Sequence, residues 1–180
     1  MPCFEESPLN DLINLLQPLV PGLRRYARAL LHDAAAADDL VQDCLEHAIS
    51  RWGQRRGDSV RPWLYAILHN LAVNRLKQKR RRGPHMPIEA VEEGTFAQAP
   101  RQDQALHQED VFRAIAQLPE DQRAVLLLVS VEDLSYEEAA ATLQVPIGTI
   151  MSRLSRARER LRRILDGSES RAVPHLRRVK

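Results

Sequence analysis

The sequence predicts an all-α protein of two small helical domains joined by a flexible linker. Aromatic residues make up 4% of its 180 residues and glycines number only 7, which leaves little material for the short strands and tight turns of a β-sandwich or barrel. Several segments also repeat apolar residues at helical spacing. Between residues 84 and 108, prolines and acidic residues replace that periodicity, which is typical of a linker. The expected domains are therefore residues 9–83 and 109–166, followed by a tail over 167–180.

The composition favours a folded protein of a reducing compartment. Hydrophobic residues make up 44% of the chain and charged residues 28%, as in soluble globular proteins. Cys3 and Cys44 are the only cysteines and form no C-x-x-C pair, so they cannot supply a disulfide framework. No apolar run approaches the ~20 residues that cross a bilayer. We therefore expect a cytoplasmic protein without membrane insertion; whether either cysteine has a redox role stays open.

The net charge of +2 conceals separate blocks of charge. Residues 1–50 hold eight acids and three bases, and residues 84–110 hold six acids and one base. Residues 51–83 hold ten bases and one acid, and residues 151–165 hold six arginines and one glutamate. Two concentrated basic blocks indicate nucleic acid as a partner, with strongly salt-dependent affinity, despite the near-neutral total.

The first half predicts three helical stretches. The first, over residues 9–31, should break or kink near Pro18 and again at Pro21-Gly22. The second, over residues 38–52, carries one apolar stripe and one acidic face. That face consists of Asp38, Asp39, Gln42, Asp43 and Glu46. It could meet a basic partner, although an ordinary solvated surface has the same pattern.

The third stretch is a basic helix. Asp58 or Ser59 can cap it, its first turn tolerates Pro62, and it runs into the bases before Gly83-Pro84. Asn70 and Asn74 are one turn apart, so their amides share a face. Trp63 falls on the apolar side of the helix, which also fits a core position.

The second half predicts a helix-turn-helix unit after two short helices over residues 109–117 and 120–131. Ser135 and Glu138 fit a capping box that opens a helix over 136–143. A turn containing Gly148 should follow, with Thr149 capping a last helix to Leu165.

The last helix has an apolar stripe from Ile150 to Leu165 that should face inward. On the other side, Met151, Ser152, Ser155 and Arg156 could meet base edges in a major groove. Arg153, Arg158 and Arg160 could reach phosphates. The alternative, a solvated arginine-rich face, is weakened by the two predicted caps and the turn glycine.

No motif of a catalytic, cofactor or metal site stands out. The chain lacks a phosphate-binding loop, a G-x-S-x-G run and an H-E-x-x-H run. Its six histidines have no metal-ligand spacing with one another or with the cysteines. We therefore expect neither enzymatic activity nor a cofactor.

Runs in both halves resemble a known family. Residues 118–123, 134–140 and 145–158 resemble region 4 of extracytoplasmic function (ECF) sigma factors. Asp38 to Asp43 resembles the core-binding helix of region 2, and Pro62 to Ile67, with the asparagines and basic run after it, resembles the promoter-melting segment. Two sets of motifs in the right order make the likeness specific.

The resemblance implies a factor that binds core RNA polymerase, directs it to promoters and helps to open the DNA. The acidic helix face would bind the coiled coil of the β′ subunit, region 4 would bind the β flap, and an anti-sigma factor would regulate the protein. The implied minus-10 contacts are Arg61, Trp63, Asn70, Asn74, Arg75, Lys77, Lys79, Arg80, Arg81 and Arg82. The implied minus-35 contacts are Thr149, Met151, Ser152, Arg153, Ser155, Arg156 and Arg160. Many family members have a basic residue where this chain has Met151, so their minus-35 preference does not transfer.

Two other classes of protein stay open. A conventional helix-turn-helix repressor or activator would carry a sensing or dimerising first half, which would not need the basic, asparagine-bearing helix. A protein-interaction module without promoter selectivity would not need basic surfaces in both halves.

Overall fold

The structure is a computed structural model that describes residues 8–55, 59–82 and 111–167, with the backbone alone for 8–11 and 82. All regular structure in these residues is helical, which confirms the predicted class. The first half contains α1 (Pro8–Leu16), α2 (Val20–Leu31), α3 (Ala34–Ser50) and α4 (Val60–Arg82), with 3₁₀ turns at Gln17–Leu19 and Trp52–Gln54. The second half contains helical residues 111–116 (α5), α6 (Glu120–Ser130), α7 (Tyr136–Leu143) and α8 (Ile147–Leu165). The linker predicted over 84–108, the tail beyond Gly167 and Cys3 lie outside the described residues.

The junction of α1 and α2 has one of the two predicted breaks. The chain forms a 3₁₀ turn around Pro18, as expected. The break predicted at Pro21-Gly22 is wrong, because both residues lie in the first turn of α2, where a proline amide has no intrahelical partner to lose. Gly22 instead permits close packing: a Cβ there would lie 2.5 Å from the Tyr65 hydroxyl and 2.6 Å from the Glu132 carboxylate.

Helix α3 begins earlier than its apolar pattern suggests. Asp33 is the N-cap, and its Oδ1 accepts a hydrogen bond from the Ala36 amide at 2.9 Å. The predicted apolar stripe is buried at Leu40, Val41, Cys44 and other positions. Burial raises the pKa of the Cys44 thiol to about 12, so this cysteine is an inert core residue.

Helix α4 completes the core of the first half. Leu64, Tyr65 and Leu68 are fully buried against α2 and α3, and each contributes about 1.5–3 kcal/mol by leaving water. The Tyr65 ring meets the Tyr26 ring of α2 edge to face at 5.5 Å. This packing fixes which side of α4 faces solvent.

In the second half, the helix-turn-helix unit forms with a different turn from the predicted one. The capping box of α7 is complete, since the Ser135 hydroxyl accepts from the Glu138 amide and the Glu138 carboxylate accepts from the Ser135 amide. The left-handed residue that ends α7 is Gln144, with φ of 54°. Gly148 is already helical, and Thr149 lies within the first turn of α8 rather than capping it, because α8 begins at Ile147 after Pro146. Proline fixes its own φ and so sets the helix start without a side-chain cap.

The two halves pack against each other. Helix α7 lies on α4, and α6 lies on α2. The Thr142 hydroxyl donates to the Pro62 carbonyl at 3.2 Å, and buried apolar residues of both halves form one continuous core. Helix α6 is consequently buried on most of its circumference, from Arg123 to Leu128.

Candidate nucleic-acid interface

One face of α4 presents a polar and basic stripe to solvent. Asn70, Asn74, Lys77 and Arg81 follow one another at intervals of four, three and four residues, and all are exposed. Residues at these spacings lie along one side of a helix. The two amides are therefore accessible to a partner and are followed by positive charge on the same face.

Other members of the predicted minus-10 set are engaged within the protein. The Arg75 guanidinium donates to Asp43 Oδ2 at 2.7 Å and to the Ala36 carbonyl at 2.8 Å. The Arg61 guanidinium donates to the Glu132 carbonyl. Arg80 forms an ion pair with Glu120 at 2.7 Å across the two halves.

The remaining members of that set divide between core and solvent. Trp63 is half-buried and packs edge to face on Trp52, with ring centroids 6.0 Å apart, which favours the core alternative. Lys79 is exposed, whereas the side chain of Arg82 lies outside the described residues. The accessible minus-10 candidates are thus Asn70, Asn74 and their lysine and arginine neighbours.

The acidic face of α3 is exposed at three of its five positions. Asp39, Gln42 and Glu46 face solvent, and Gln42 Nε2 donates to Glu46 Oε1 at 3.0 Å. Asp38 pairs with Arg24 at 3.4 Å and Arg28 at 3.3 Å, and Asp43 pairs with Arg75. Surface ion pairs of this kind contribute about 0–1 kcal/mol, so a basic partner could replace them.

Helix α8 presents the predicted reading face. Ile150, Leu154 and Ala157 are buried as expected, whereas Leu165 at the end of the apolar stripe is 48% exposed, so its predicted inward position is wrong. All four residues predicted to meet base edges are exposed: Met151, Ser152, Ser155 and Arg156.

The other predicted minus-35 residues are less accessible. Thr149 and Arg160 are half-buried. Arg153 Nε forms an ion pair with Asp121 Oδ2 at 3.2 Å. Arg158 is exposed and lies 3.4 Å from the Ser130 hydroxyl.

A buried carboxylate, Glu132, joins the two halves. It is 2% exposed and accepts from Arg25 Nε at 3.0 Å, from Arg25 Nη2 at 3.1 Å and from the Tyr65 hydroxyl at 2.5 Å. Burial and then this carboxylate raise the Tyr65 pKa above its ordinary range, so the phenol remains a donor. Sequence reasoning missed Glu132 because its partners lie 107 and 67 residues away in the chain.

Arg123 forms a second tie between the halves. Its guanidinium donates to the carbonyls of Ile115 at 3.2 Å, Leu118 at 2.8 Å and Ala29 at 3.2 Å, and to His32 Nε2. Desolvation lowers the Arg123 pKa. Partial burial and then the neighbouring guanidinium lower the pKa of His32.

A cleft of about 340 Å³ lies where α4 meets the second half. Arg80 and Arg153 line it, and each is paired with an acid of the same cleft, Glu120 or Asp121. Its charges therefore cancel, and it offers no site for an anion.

Family models match both halves of the chain. The model described as the Sigma2 domain of PhyR matches residues 16–69. The model described as Sigma-70, region 4, matches residues 108–161. These segments contain the acidic α3 face, the start of α4 up to residue 69, just before Asn70, and the helix-turn-helix unit as far as residue 161.

Curated relatives and a solved structure agree with these matches. The chain is 37% identical over 170 residues to the ECF RNA polymerase sigma factor EcfG of Rhodopseudomonas palustris, covering 90% of this chain and 91% of the relative. It is 38% identical to the RNA polymerase sigma-H factor of Pseudomonas aeruginosa, covering 75% and 76%. It is also similar to the sigma factor RpoE of Bartonella quintana, solved in complex with the anti-sigma factor NepR, with a TM-score of 0.75, 34% identity and coverage of 87% and 97%.

Within the described residues, none of the helices has the length and apolar character to span a membrane. EcfG and the solved RpoE, at 37% and 34% identity, align with 90% and 87% of this chain, and the helical architecture agrees with that of a sigma factor. The chain belongs to the ECF family of RNA polymerase sigma factors.

Proposed function

We propose that this sigma factor binds core RNA polymerase through the exposed acids of α3 and promoter DNA through α4 and α8. The observation that carries the proposal is the separation of an acidic stripe from two basic, amide- or hydroxyl-bearing stripes on the exposed faces of these helices. The chain acts as a binding subunit in the cytoplasm, with no catalytic step, cofactor or metal of its own.

The acidic stripe of Asp39, Gln42 and Glu46 suits a basic helical partner, which in this family is the β′ coiled coil. Complementary charge speeds and selects docking more than it adds affinity. The second half would contact the β flap.

The stripe of Asn70, Asn74, Lys77 and Arg81 suits an unpaired strand at the minus-10 element. Positive charge follows the phosphates, while side-chain amides can hydrogen-bond the exposed edge of an unstacked base. Extruding such a base costs a few kcal/mol, so opening the duplex is the step that these contacts must favour.

The two halves must separate from each other for both promoter elements to be bound at once. The minus-10 and minus-35 elements are named for their positions upstream of the transcription start, so they lie about 25 base pairs apart. At 3.4 Å per base pair this separation is about 85 Å. A compact chain of this length has a radius of gyration of about 16 Å. The contacts of Glu132, Arg123 and Thr142 therefore belong to a state without both elements bound.

An anti-sigma factor is a suitable partner for the packed arrangement of the halves, since the similar RpoE chain was solved with NepR. We place this chain under the same kind of control: an anti-sigma factor would compete with core polymerase for the surfaces of α3 and α4.

The rate at which charge-reversal variants associate with core polymerase tests the docking surface. We expect Asp39→Arg and Glu46→Arg each to slow association with core at low salt by several-fold, because each reverses a charge on the acidic stripe. Glu137→Arg is the matched control, since Glu137 is an exposed acid on α7. Equal binding of all three variants would remove α3 from the docking surface, and absence of core binding by the unaltered chain would contradict the proposal.

A further inference from the structure

The start of α8 carries an apolar pair within a polar and basic surface. Ile147 is 38% exposed and Met151 is 50% exposed. They are four residues apart, so their side chains lie along one side of the helix. Exposed Ser152, Ser155 and Arg156 adjoin them. Exposed apolar residues are common singly, but this pair occupies the end of the helix that the proposed function places against DNA bases.

Gly148 lies between the two apolar residues, in the first turn of α8. It is helical rather than left-handed, and a Cβ at this position would meet nothing within 4 Å. An open, side-chain-free position on the exposed turn permits an external surface to approach the backbone closely.

The major groove offers one apolar group, the 5-methyl group of thymine. Ile147 and Met151 cannot pair with phosphates or donate hydrogen bonds to base edges, whereas their side chains can cover a methyl group. We propose that Ile147 and Met151 read thymine methyl groups in the upstream promoter element, with Gly148 allowing the first turn of α8 to enter the groove. The inference rests on the proposed function and names the base chemistry that this site recognises.

The surroundings favour DNA over an apolar protein partner. Residues 151–165 carry six arginines and one glutamate, a charge suited to phosphates. A stable protein interface buries about 1,200–2,000 Å², and two side chains on a charged helix supply only a small part of that apolar area.

The spacing of the pair sets the spacing of the bases. Four residues of α-helix rise about 6 Å, and successive base pairs are about 3.4 Å apart. The two methyl groups should therefore belong to thymines one or two base-pair steps apart, on either strand.

Uracil substitution tests the proposal, because uracil lacks only the 5-methyl group and keeps base pairing. Duplexes bound by the complete chain with core polymerase would first be selected from a pool randomised over the upstream element. Each thymine of a selected duplex would then be replaced singly by uracil. We expect two neighbouring positions at which uracil lowers holoenzyme affinity about fourfold, the effect of one buried methyl group.

Variants assign each methyl group to a side chain. Ile147→Ala and Met151→Ala should each abolish the uracil penalty at one of the two positions. Leu165→Ala, which alters another exposed apolar residue of α8, should keep both penalties. Equal thermal unfolding of all variants would show that α8 remains folded.

Three outcomes would overturn the inference, in distinguishable ways. Selected duplexes without any uracil penalty would show that thymine methyl groups are not read. Weaker binding of core polymerase by Ile147→Ala or Met151→Ala, with the uracil penalties unchanged, would assign the pair to a protein partner. Selection that enriches no duplex at all would contradict the proposed function itself.

Discussion

His69 is a neutral histidine held between the two halves of the molecule. Its Nδ1 lies 3.0 Å from the Tyr26 hydroxyl, and burial raises the pKa of that phenol above its ordinary range, so the phenol stays protonated. Burial, and then the charge of Arg153, lower the His69 pKa from 6.5 to about 4. The imidazole thus pairs with the Tyr26 hydroxyl and resists protonation.

This histidine predicts a loss of stability in mild acid. As the pH falls below 6.5, the unfolded chain takes up a proton that the folded chain takes up only near pH 4. Stability should therefore fall through this window by up to about 3 kcal/mol. Chemical unfolding from pH 7 to pH 4 measures the effect. His69→Gln, which keeps a hydrogen-bonding partner for Tyr26 without titrating, should make the slope shallower, and the lowered pKa of His32 contributes to the slope that remains; an unchanged slope would show that other groups cause it.

Asn70 and Asn74 predict a defect in promoter opening. Each alanine substitution should reduce open-complex formation with core binding intact, because the amides are exposed on the side of α4 that we propose to face DNA and do not take part in the core. Permanganate reactivity of unpaired thymines measures opening. Asn14→Ala, which alters an exposed asparagine of α1, is the control. Loss of core binding in either α4 variant would show that the surface has been misassigned.

Residue spacing predicted the accessible amides, but it could not predict which arginines are occupied. Asn70 and Asn74 follow from a local rule of helix geometry. Arg61, Arg75 and Arg80 bind partners 71, 32 and 40 residues away in the chain. Such pairings depend on how the helices pack, which a local pattern does not contain.

At the scale of elements, we expect the two ends of α8 to differ in function: the first turns should discriminate between DNA sequences, and the last turn should add affinity for any sequence. Arg156→Ala should weaken discrimination at the minus-35 element by about 1–3 kcal/mol if Arg156 pairs with a guanine. Arg162→Ala, an exposed arginine in the last turn, should lower affinity for all sequences equally. Competition between single-base variants of the upstream element measures the difference. Unchanged discrimination in Arg156→Ala would remove this residue from the reading set.

Element boundaries show where sequence reasoning succeeded and failed. The α7 capping box was predicted because it is a pair of residues at fixed spacing. The turn after α7 was predicted wrongly because glycine is the usual left-handed residue, whereas Gln144 takes that role here. Pro146 then starts α8 before Thr149. A left-handed helix end formed by a residue other than glycine or asparagine leaves no sequence signal.

At the scale of the whole molecule, Glu132 holds the halves in the packed arrangement. Its carboxylate is buried, but 47% of the Arg25 side chain remains exposed, so the pair contributes less than a fully buried one. Glu132→Gln keeps the shape and removes the charge. We expect it to weaken docking of the halves by about 1–3 kcal/mol.

Small-angle scattering measures this effect on the free protein. The radius of gyration should increase in Glu132→Gln and increase further at high salt, because the remaining ties include the exposed Arg80–Glu120 ion pair. Glu137→Gln, on the exposed side of α7, should scatter like the unaltered chain. A compact profile in Glu132→Gln and in Glu132→Ala would show that the carboxylate does not control docking.

The sequence predicted two helical domains but not their contact. The sequence contains one signal of that contact, because a helix with apolar residues on most of its circumference needs neighbours on more than one side. In the structure, α6 buries six consecutive residues, from Arg123 to Leu128. The specific ties, Glu132 and Arg123, could not be predicted because they connect residues from opposite halves.

Run-off transcription tests the central claim, that this chain directs core polymerase to promoters, most directly. Purified core polymerase would be supplied with a pool of fragments from the encoding genome, with and without the protein. The account predicts transcripts of discrete length that require the protein, start downstream of a shared pair of sequence elements, and decline steeply as salt is raised. Failure to bind core polymerase, together with the absence of any protein-dependent transcript from the pool, would contradict it.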